Sequence, residues 1–332
     1  MKKEIVYDGI YLDIPETIKR FPECIWFIFI GCRGCGKTYS MLKYSREKKG
    51  FMYCRRTEKQ AEMSATAISS PYKKLNKKMD INVETNYISK LGFGTISEGD
   101  MNIGYITAIS TFSNVRGVDF DDVNTLFIDE FIPEPNKPFI KSEYILLKNM
   151  YETINRNREL EGEEPLKAVL ASNSTSLKSP ILIGFDLIPH IQDMCIKRIE
   201  FKVVGNILIC LPLCKEYVKA KSDTALYKGI DDEFSREALL NQFTSDSFKN
   251  CAMKNLREYI PSVAIDDIYI YRHKSRNEMY ACRTKADCPK FNSIDTKRLF
   301  LSLYGPKINL AMINQCMYYY DYSVKIMLED LF

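Results

Sequence analysis

The segment Gly31-Cys32-Arg33-Gly34-Cys35-Gly36-Lys37-Thr38 fits the pattern Gly-x4-Gly-Lys-[Ser/Thr], and it stands between two stretches of different character. Before it, Cys24 to Ile30 is a continuous β-branched and aromatic run, the kind buried on both faces of a parallel sheet. After it, Thr38 to Lys48 reads as a helix and Phe51 to Arg55 as the next strand. Strand, glycine loop and helix in this order form the context in which the motif binds phosphate. The glycines let backbone N–H groups wrap the phosphates, and the helix N-terminus adds positive potential. Lys37 would reach the β- and γ-oxygens, while Thr38 would offer its hydroxyl to Mg²⁺. The loop from Gly31 to Thr38, with Tyr39 behind it, is therefore expected to hold ATP.

A second motif follows downstream. Val123 to Ile128 is an apolar strand ending in Asp129-Glu130, the Walker B form, in which Asp129 holds the Mg²⁺ shell and Glu130 polarises the attacking water. A kinase that must exclude hydrolysis has no need of a glutamate there. An extra strand at Asn102 to Ser110, between the two motif strands in sequence, suits the ATPase branch that carries such a glutamate. Leu166 to Ala171 is another apolar strand, with Asn173 at its carboxyl end, where open α/β sheets bind ligands. Asn173 could sense the γ-phosphate, or it could belong to a turn rich in Ser and Asn.

Alternating strands and helices make residues 1–200 an α/β P-loop ATPase domain with a mostly parallel sheet. Two Lys-rich helical stretches lie between Glu58 and Met79, a strand near Ile81 to Ser89, and a helix over Ser142 to Asn157. Arg198 to Val204 and Ile207 to Leu213 flank Gly205-Asn206 as a hairpin that opens a linker or small subdomain over 201–228. Residues 229–332 form a smaller α+β domain. A hairpin is expected at Ile265 to Tyr271 and Glu278 to Arg283, a strand near Leu299 to Tyr304, and a long helix from Leu310 to Leu331.

The 332 residues carry 47 basic and 43 acidic side chains, so the net charge of +4 does not by itself mark a nucleic-acid binder. Any basic footprint must be local. Arg55 and Arg56 end a strand, and Lys73, Lys74, Lys77 and Lys78 follow in a cluster. They could contact a DNA backbone through phosphate charge, and the lysines could equally be a solvated helix face. No apolar run approaches the roughly 20 residues that span a bilayer, so no membrane role is expected. The 11 cysteines are an odd number, with Cys24 and Cys210 in strands and Cys316 in a helix, which favours free thiols acting as small hydrophobes. Cys32 and Cys35 make a single Cys-x-x-Cys at variable positions of the glycine loop, where a metal or redox role is not expected.

Arg156 and Arg158 end the helix after Walker B. Two positions apart on a helix they point in nearly opposite directions, so both cannot face one phosphate. Spacing alone leaves open whether they complement the helix dipole or whether one serves a ring neighbour's site. Arg116, in the loop before Walker B, is similarly open.

These elements, in this order, resemble the DNA-packaging ATPases (encapsidation proteins) of phi29-like small tailed phages, compact relatives of the large terminases. The resemblance is carried by Ile28 to Thr38, Tyr53-Cys54-Arg55-Arg56, Leu126 to Phe131, Arg156-Asn157-Arg158-Glu159 and Ala171-Ser172-Asn173. It implies a homo-oligomeric ring, a pentamer in such families, docked transiently on the portal of a procapsid in the host cytoplasm and absent from the mature virion. The ring would pump double-stranded DNA inward at the expense of ATP, with a packaging RNA as a possible further partner. It implies Arg156 as an arginine finger acting in trans, Arg116 as a second trans residue, and Asn173 as the coupling residue. It implies an RNase H-like C-terminal domain that binds DNA and has lost its nuclease site. Asp266, Asp267 and Asp321 offer no convincing carboxylate triad, so a terminase-like endonuclease is the weaker reading. A monomeric P-loop kinase is the other alternative.

Overall fold

The computed structural model describes residues 2–115, 117–134, 138–230, 232, 235, 239, 243 and 246–332. The chain divides into two compact units, Met1–Phe185 with Met194–Ser245, and Asp186–Asp193 with Asp246–Phe332.

The first unit opens with a short hairpin, Tyr7–Asp8 (β1) and Tyr11–Leu12 (β2), and a helix, Ile14–Lys19, capped by Asp13. Its centre is a nine-stranded sheet of Trp26–Gly31 (β3), Phe51–Arg55 (β4), Val83–Ile88 (β5), Phe93–Glu98 (β6), Met101–Ala108 (β7), Thr125–Asp129 (β8), Lys167–Asn173 (β9), Phe201–Val204 (β10) and Ile207–Cys210 (β11). The strand order is β10-β11-β3-β9-β8-β4-β7-β6-β5. From β11 to β7 every pairing is parallel, and the outer strands β10 on one side and β6 and β5 on the other join antiparallel.

Every residue of β3 and β8 is buried, as their apolar runs require. On one face Phe27 and Phe29 pack with Met41 and Leu42 of the helix Lys37–Lys48 (α2). On the other, the Trp26 ring lies 4.7 Å from that of Tyr151 in the helix Glu143–Asn155 (α5) and 4.9 Å from that of Phe185.

The strand separating β3 from β8 in space is β9, which carries Asn173. The strand β7, which falls between them in sequence, lies beyond β4. The strand β6, between β7 and β5, supplies an element that the sequence pattern does not separate from its neighbours. Residues 201–210, expected to open a linker, are the other edge of this sheet: Ile207 to Cys210 are buried and pair in parallel with β3. The first unit therefore runs past residue 200, because that apolar strand covers what would otherwise be an open edge on the central strand.

The second unit is built on Tyr259–Ile265 (β12), Ile268–His273 (β13), Met279–Cys282 (β14), Lys290–Phe291 (β15) and Met317–Tyr319 (β16), in the order β15-β12-β13-β14-β16. The stretch expected as a strand near Leu299 to Tyr304 is the helix Lys297–Leu303, since a short apolar run does not itself distinguish the two. The single helix expected over Leu310 to Leu331 is broken. A helix Gly305–Ile313 ends, Gln315 turns at φ 56°, the aromatic run pairs as β16 with β14, and Asp321 caps a new helix Tyr322–Glu329. Cys316 thus lies before a strand and Cys24 before β3, outside the elements expected for them.

Gly50 links α2 to β4 at φ 68°, and its carbonyl accepts hydrogen bonds from Asn124 and Thr125 at the start of β8. An added Cβ would lie 2.1 Å from the Asp122 carbonyl oxygen. Gly50→Ala is expected to lower unfolding free energy by about 2–4 kcal/mol, from the left-handed backbone and the backbone clash together. Urea unfolding measures this; a loss under about 0.5 kcal/mol, the level of an ordinary surface change, would mean that the turn relaxes freely.

Candidate nucleotide-binding site

The glycine loop leaves β3 at the carboxyl edge of the sheet and enters α2. Gly34 and Gly36 have φ of 82° and 102°, a region open to glycine at no steric cost. Neighbours enforce this as well: a Cβ at Gly34 would lie 2.4 Å from the Tyr217 hydroxyl, and one at Gly36 would lie 3.1 Å from Tyr11 Cβ. No side chain caps the N-terminus of α2, so its first N–H groups face an anion site. Lys37 is buried, and its ammonium donates to the carbonyls of Gly31 (2.9 Å) and Cys32 (2.8 Å) and to Asn173 Oδ1 (3.1 Å).

Across β9, the Walker B strand brings Asp129 to the same place. Thr38 Oγ1 donates to Asp129 Oδ1 at 3.0 Å, and the Tyr53 hydroxyl donates to Oδ2 at 3.1 Å. Arg55 reaches Asp129 Oδ2 at 3.3 Å and also pairs with Glu130. Burial pushes the Asp129 carboxyl above the usual carboxylate range; Arg55 pulls against that, Glu130 adds to it, and the hydrogen bonds from Thr38 and Tyr53 oppose it. Burial and the Asp129 charge likewise raise the Tyr53 hydroxyl well above its ordinary value, which keeps it a donor. Glu130 sits at φ 56°, with its N–H on the Ala171 carbonyl at 2.8 Å and its side chain half exposed. A bulky residue held in that region is a strained feature that the surrounding strands must impose.

A cavity of about 490 Å³ joins these groups, lined by Lys37, Thr38, Asp129, Glu130, Ser172 and Asn173 and, on the outer side, by Arg33, Tyr11 and Tyr39. A hard divalent cation takes oxygen donors, and Thr38 Oγ1 and Asp129 Oδ1 are two such donors facing one space. The donor set fits Mg²⁺.

The basic residues expected to meet DNA are disposed otherwise. Lys74 and Lys78, four apart on the helix Lys73–Met79 (α4), line the nucleotide cavity, with Lys78 Nζ 5.2 Å from the Tyr39 ring centroid. Lys73 and Lys77 are exposed and do not line it. Arg55 is committed to the Walker B carboxylates. Arg56 is buried in a bidentate pair with Glu143 (2.6 and 3.0 Å), and so cannot serve a DNA backbone. Burial raises the Glu143 carboxyl in spite of that partner.

Helix α5 ends at Asn155, so the helical argument about Arg156 and Arg158 does not apply. Both guanidiniums turn to one segment. Arg156 donates to the Asp121 carboxylate and the Val118 carbonyl, and Arg158 to the Asp121 carbonyl at 2.8 Å. Arg156 has φ 46°, is partly exposed and does not line the cavity. Arg116 lies outside the described residues.

Two contributors have no signal in the motif pattern. Tyr11 comes from the β1–β2 hairpin, whose Leu12 N–H donates to the Cys35 carbonyl at 2.9 Å. The helix Lys215–Ser222 brings Tyr217, whose hydroxyl donates to the Arg33 carbonyl at 2.8 Å. Tyr53 could have been found, since a tyrosine in a wholly buried strand must find a partner for its hydroxyl. The same helix start places Cys214 against Cys32 and Cys35, and hydrogen bonds from Cys214 and Cys32, with Lys37 close by, hold the Cys35 thiol well below its ordinary value.

The family model for the podovirus DNA encapsidation protein (Gp16) matches residues 7–280. The bacteriophage Phi-29 viral genome packaging motor assembly is similar at a TM-score of 0.65 and 16% identity, over 97% of this chain and 98% of that one. The Phi-28 gp11 DNA packaging motor is similar at 0.58 and 18%, over 94% and 95%. The N-terminal domain of the DNA packaging ATPase from bacteriophage phi29 gives 0.49 and 22%, over 61% and 96%. No curated protein matches the sequence.

Removing one member of the Arg56–Glu143 pair strands a buried charge. Arg56→Ala and Glu143→Ala are each expected to cost about 3–5 kcal/mol, while Arg56→Met with Glu143→Leu recovers most of it. Chemical denaturation of the three variants checks this, and single variants as stable as wild type would refute the assignment.

Proposed function

This chain belongs to the podovirus DNA encapsidation protein family, and on that premise we propose that it is an ATP-driven motor that moves double-stranded DNA into a procapsid. It works as a homo-oligomeric ring, a pentamer, docked at the portal within the host cell, with a packaging RNA as a further docking partner. The observation that carries the reading is the convergence of Lys37, Thr38, Asp129, Glu130 and Asn173 on one cavity at the carboxyl ends of β3, β8 and β9.

In this reading the first N–H groups of α2 bind the phosphates, and Lys37 exchanges its carbonyl acceptors for the β- and γ-oxygens. Thr38 and Asp129 hold Mg²⁺, which supplies charge neutralisation on those oxygens when bound. Glu130 accepts a proton from water as that water attacks the γ-phosphorus, the bond to the bridging oxygen breaks, and ADP and phosphate leave. Arg55 positions Glu130 and keeps Asp129 ionised. Asn173, bonded to Lys37 and one strand from Glu130, senses the γ-phosphate. Arg156, held outside its own cavity, serves a neighbour's site, and Arg116 is a second candidate for that role. Lys74 and Lys78 belong to the nucleotide cavity; Lys73 and Lys77 remain candidates for the DNA backbone.

The nuclease alternative has little support. Asp321 caps a helix through Val324 N–H, and among the described residues no three carboxylates gather as metal ligands. A kinase would leave Glu130 without a purpose.

Glu130→Gln should retain ATP binding and lose hydrolysis by about 10²–10⁴-fold, and Arg156→Ala by about 10³-fold or more. Mixing the two inactive proteins should restore part of the DNA-stimulated ATPase, because a subunit with an intact Glu130 can borrow Arg156 from its neighbour. Rates independent of protein concentration and DNA, with Arg156→Ala silent, would point to a monomeric phosphotransferase.

A further inference from the structure

Cys32 and Cys35 of the glycine loop and Cys214 at the start of the helix Lys215–Ser222 bring three sulfurs together, each within 4.8 Å of the others and all buried. Among the described residues this is the one group of three potential metal ligands at such spacing. Simple apolar packing accounts for it poorly. The buried members of the cluster are the three cysteines and Tyr217, with no buried aliphatic side chain among them.

We propose that Cys32, Cys35 and Cys214 form a thiolate site for a thiophilic d¹⁰ metal ion, Zn²⁺ in particular, with the fourth position left to water. Sulfurs about 2.3 Å from one tetrahedral ion stand about 3.8 Å apart, so the observed triangle needs to close by no more than about 1 Å. Three thiolates around Zn²⁺ leave one net negative charge. Lys37 Nζ lies 3.8 Å from Cys35 Sγ and supplies the compensating positive charge within the same buried region. Tyr217 is buried with the three cysteines, and Tyr7 and Val218 pack against them.

The ion would join segments that already touch through single hydrogen bonds. The Cys32 carbonyl accepts from Lys37, the Cys35 carbonyl accepts from Leu12, and the Arg33 carbonyl between them accepts from Tyr217. A metal bound at the three thiols would therefore fix the loop backbone at both cysteines and pin it to the segment after β11. This inference concerns the glycine loop itself and stands whether or not the motor reading holds.

The test uses the full chain, reduced with a phosphine and stripped of metal, then titrated anaerobically with Co²⁺ as a spectroscopic probe. One equivalent should produce an intense sulfur-to-cobalt charge-transfer band that Zn²⁺ abolishes. Cys32→Ser and Cys214→Ser should weaken Zn²⁺ affinity by about 100-fold or more, beyond what loss of a supporting group costs. Cys288→Ser and Cys316→Ser, at thiols outside the cluster, should leave it unchanged. X-ray absorption of zinc-loaded wild type needs no variant to fold, and should show three sulfurs at about 2.3 Å with one lighter atom. A first shell with fewer than three sulfurs, or a charge-transfer band that survives Cys214→Ser, would overturn the site.

Discussion

Asp129 is a carboxylate buried among β-strands, and the arrangement of the catalytic edge follows from keeping it both charged and aimed. Burial alone would push it toward the neutral acid, which holds a divalent cation poorly. Opposing that, Arg55 stands beside it, and Thr38 and Tyr53 donate hydrogen bonds to its two oxygens. The partners come from two elements: Thr38 from α2, Tyr53 and Arg55 from β4. The parallel register that pairs Cys54 with Ile128 places Arg55 level with Asp129 and on the same face of the sheet. Sheet order, rather than any single contact, therefore assembles the site.

That dependence explains what could be read from the chain. The glycine loop, the Walker B pair and Asn173 are each local, since each sits at the end of an apolar strand whose burial is legible as an unbroken hydrophobic run. What the pattern cannot supply is lateral order. Nothing local to Met101–Ala108 or Lys167–Asn173 tells which lies between the two motif strands, because that is decided by crossover connections. The basic residues show the opposite case. Strand alternation alone sends Arg55 and Arg56 to opposite faces, so a shared role on one DNA backbone was already excluded by the period of two.

The lysines of α4 needed tertiary information. Tyr72, just ahead of that helix, is wholly buried and hydrogen-bonds Ser45 of α2 at 2.8 Å. This docks α4 beside the helix that starts at the phosphate loop. Lys74 and Lys78 then line the cavity, Lys78 over the Tyr39 ring in the first turn of α2, and Lys73 and Lys77 do not line it. A cluster that reads as one basic patch in sequence is split by the helical period between two faces, of which one lines the cavity. In the C-terminal unit, aromatic residues with strong β preference interrupt an otherwise helical pattern at Met317–Tyr319, a place where pairing with β14 outweighs local propensity.

The glycine loop is gripped from two sides that are far apart in sequence. Leu12 of the N-terminal hairpin holds Cys35, and Tyr217, after the last strand of the sheet, holds Arg33. Both grips act on backbone carbonyls, so they constrain the loop directly rather than through side chains that could swing aside. Gly34 and Gly36 lie against these same residues: a Cβ at Gly34 would overlap the Tyr217 hydroxyl, and one at Gly36 would crowd Tyr11. Any movement of the loop must therefore break these hydrogen bonds or be shared by the hairpin and by the helix Lys215–Ser222. The loop's own hydrogen bonds thus tie it both to the N-terminal hairpin and to the segment following β11.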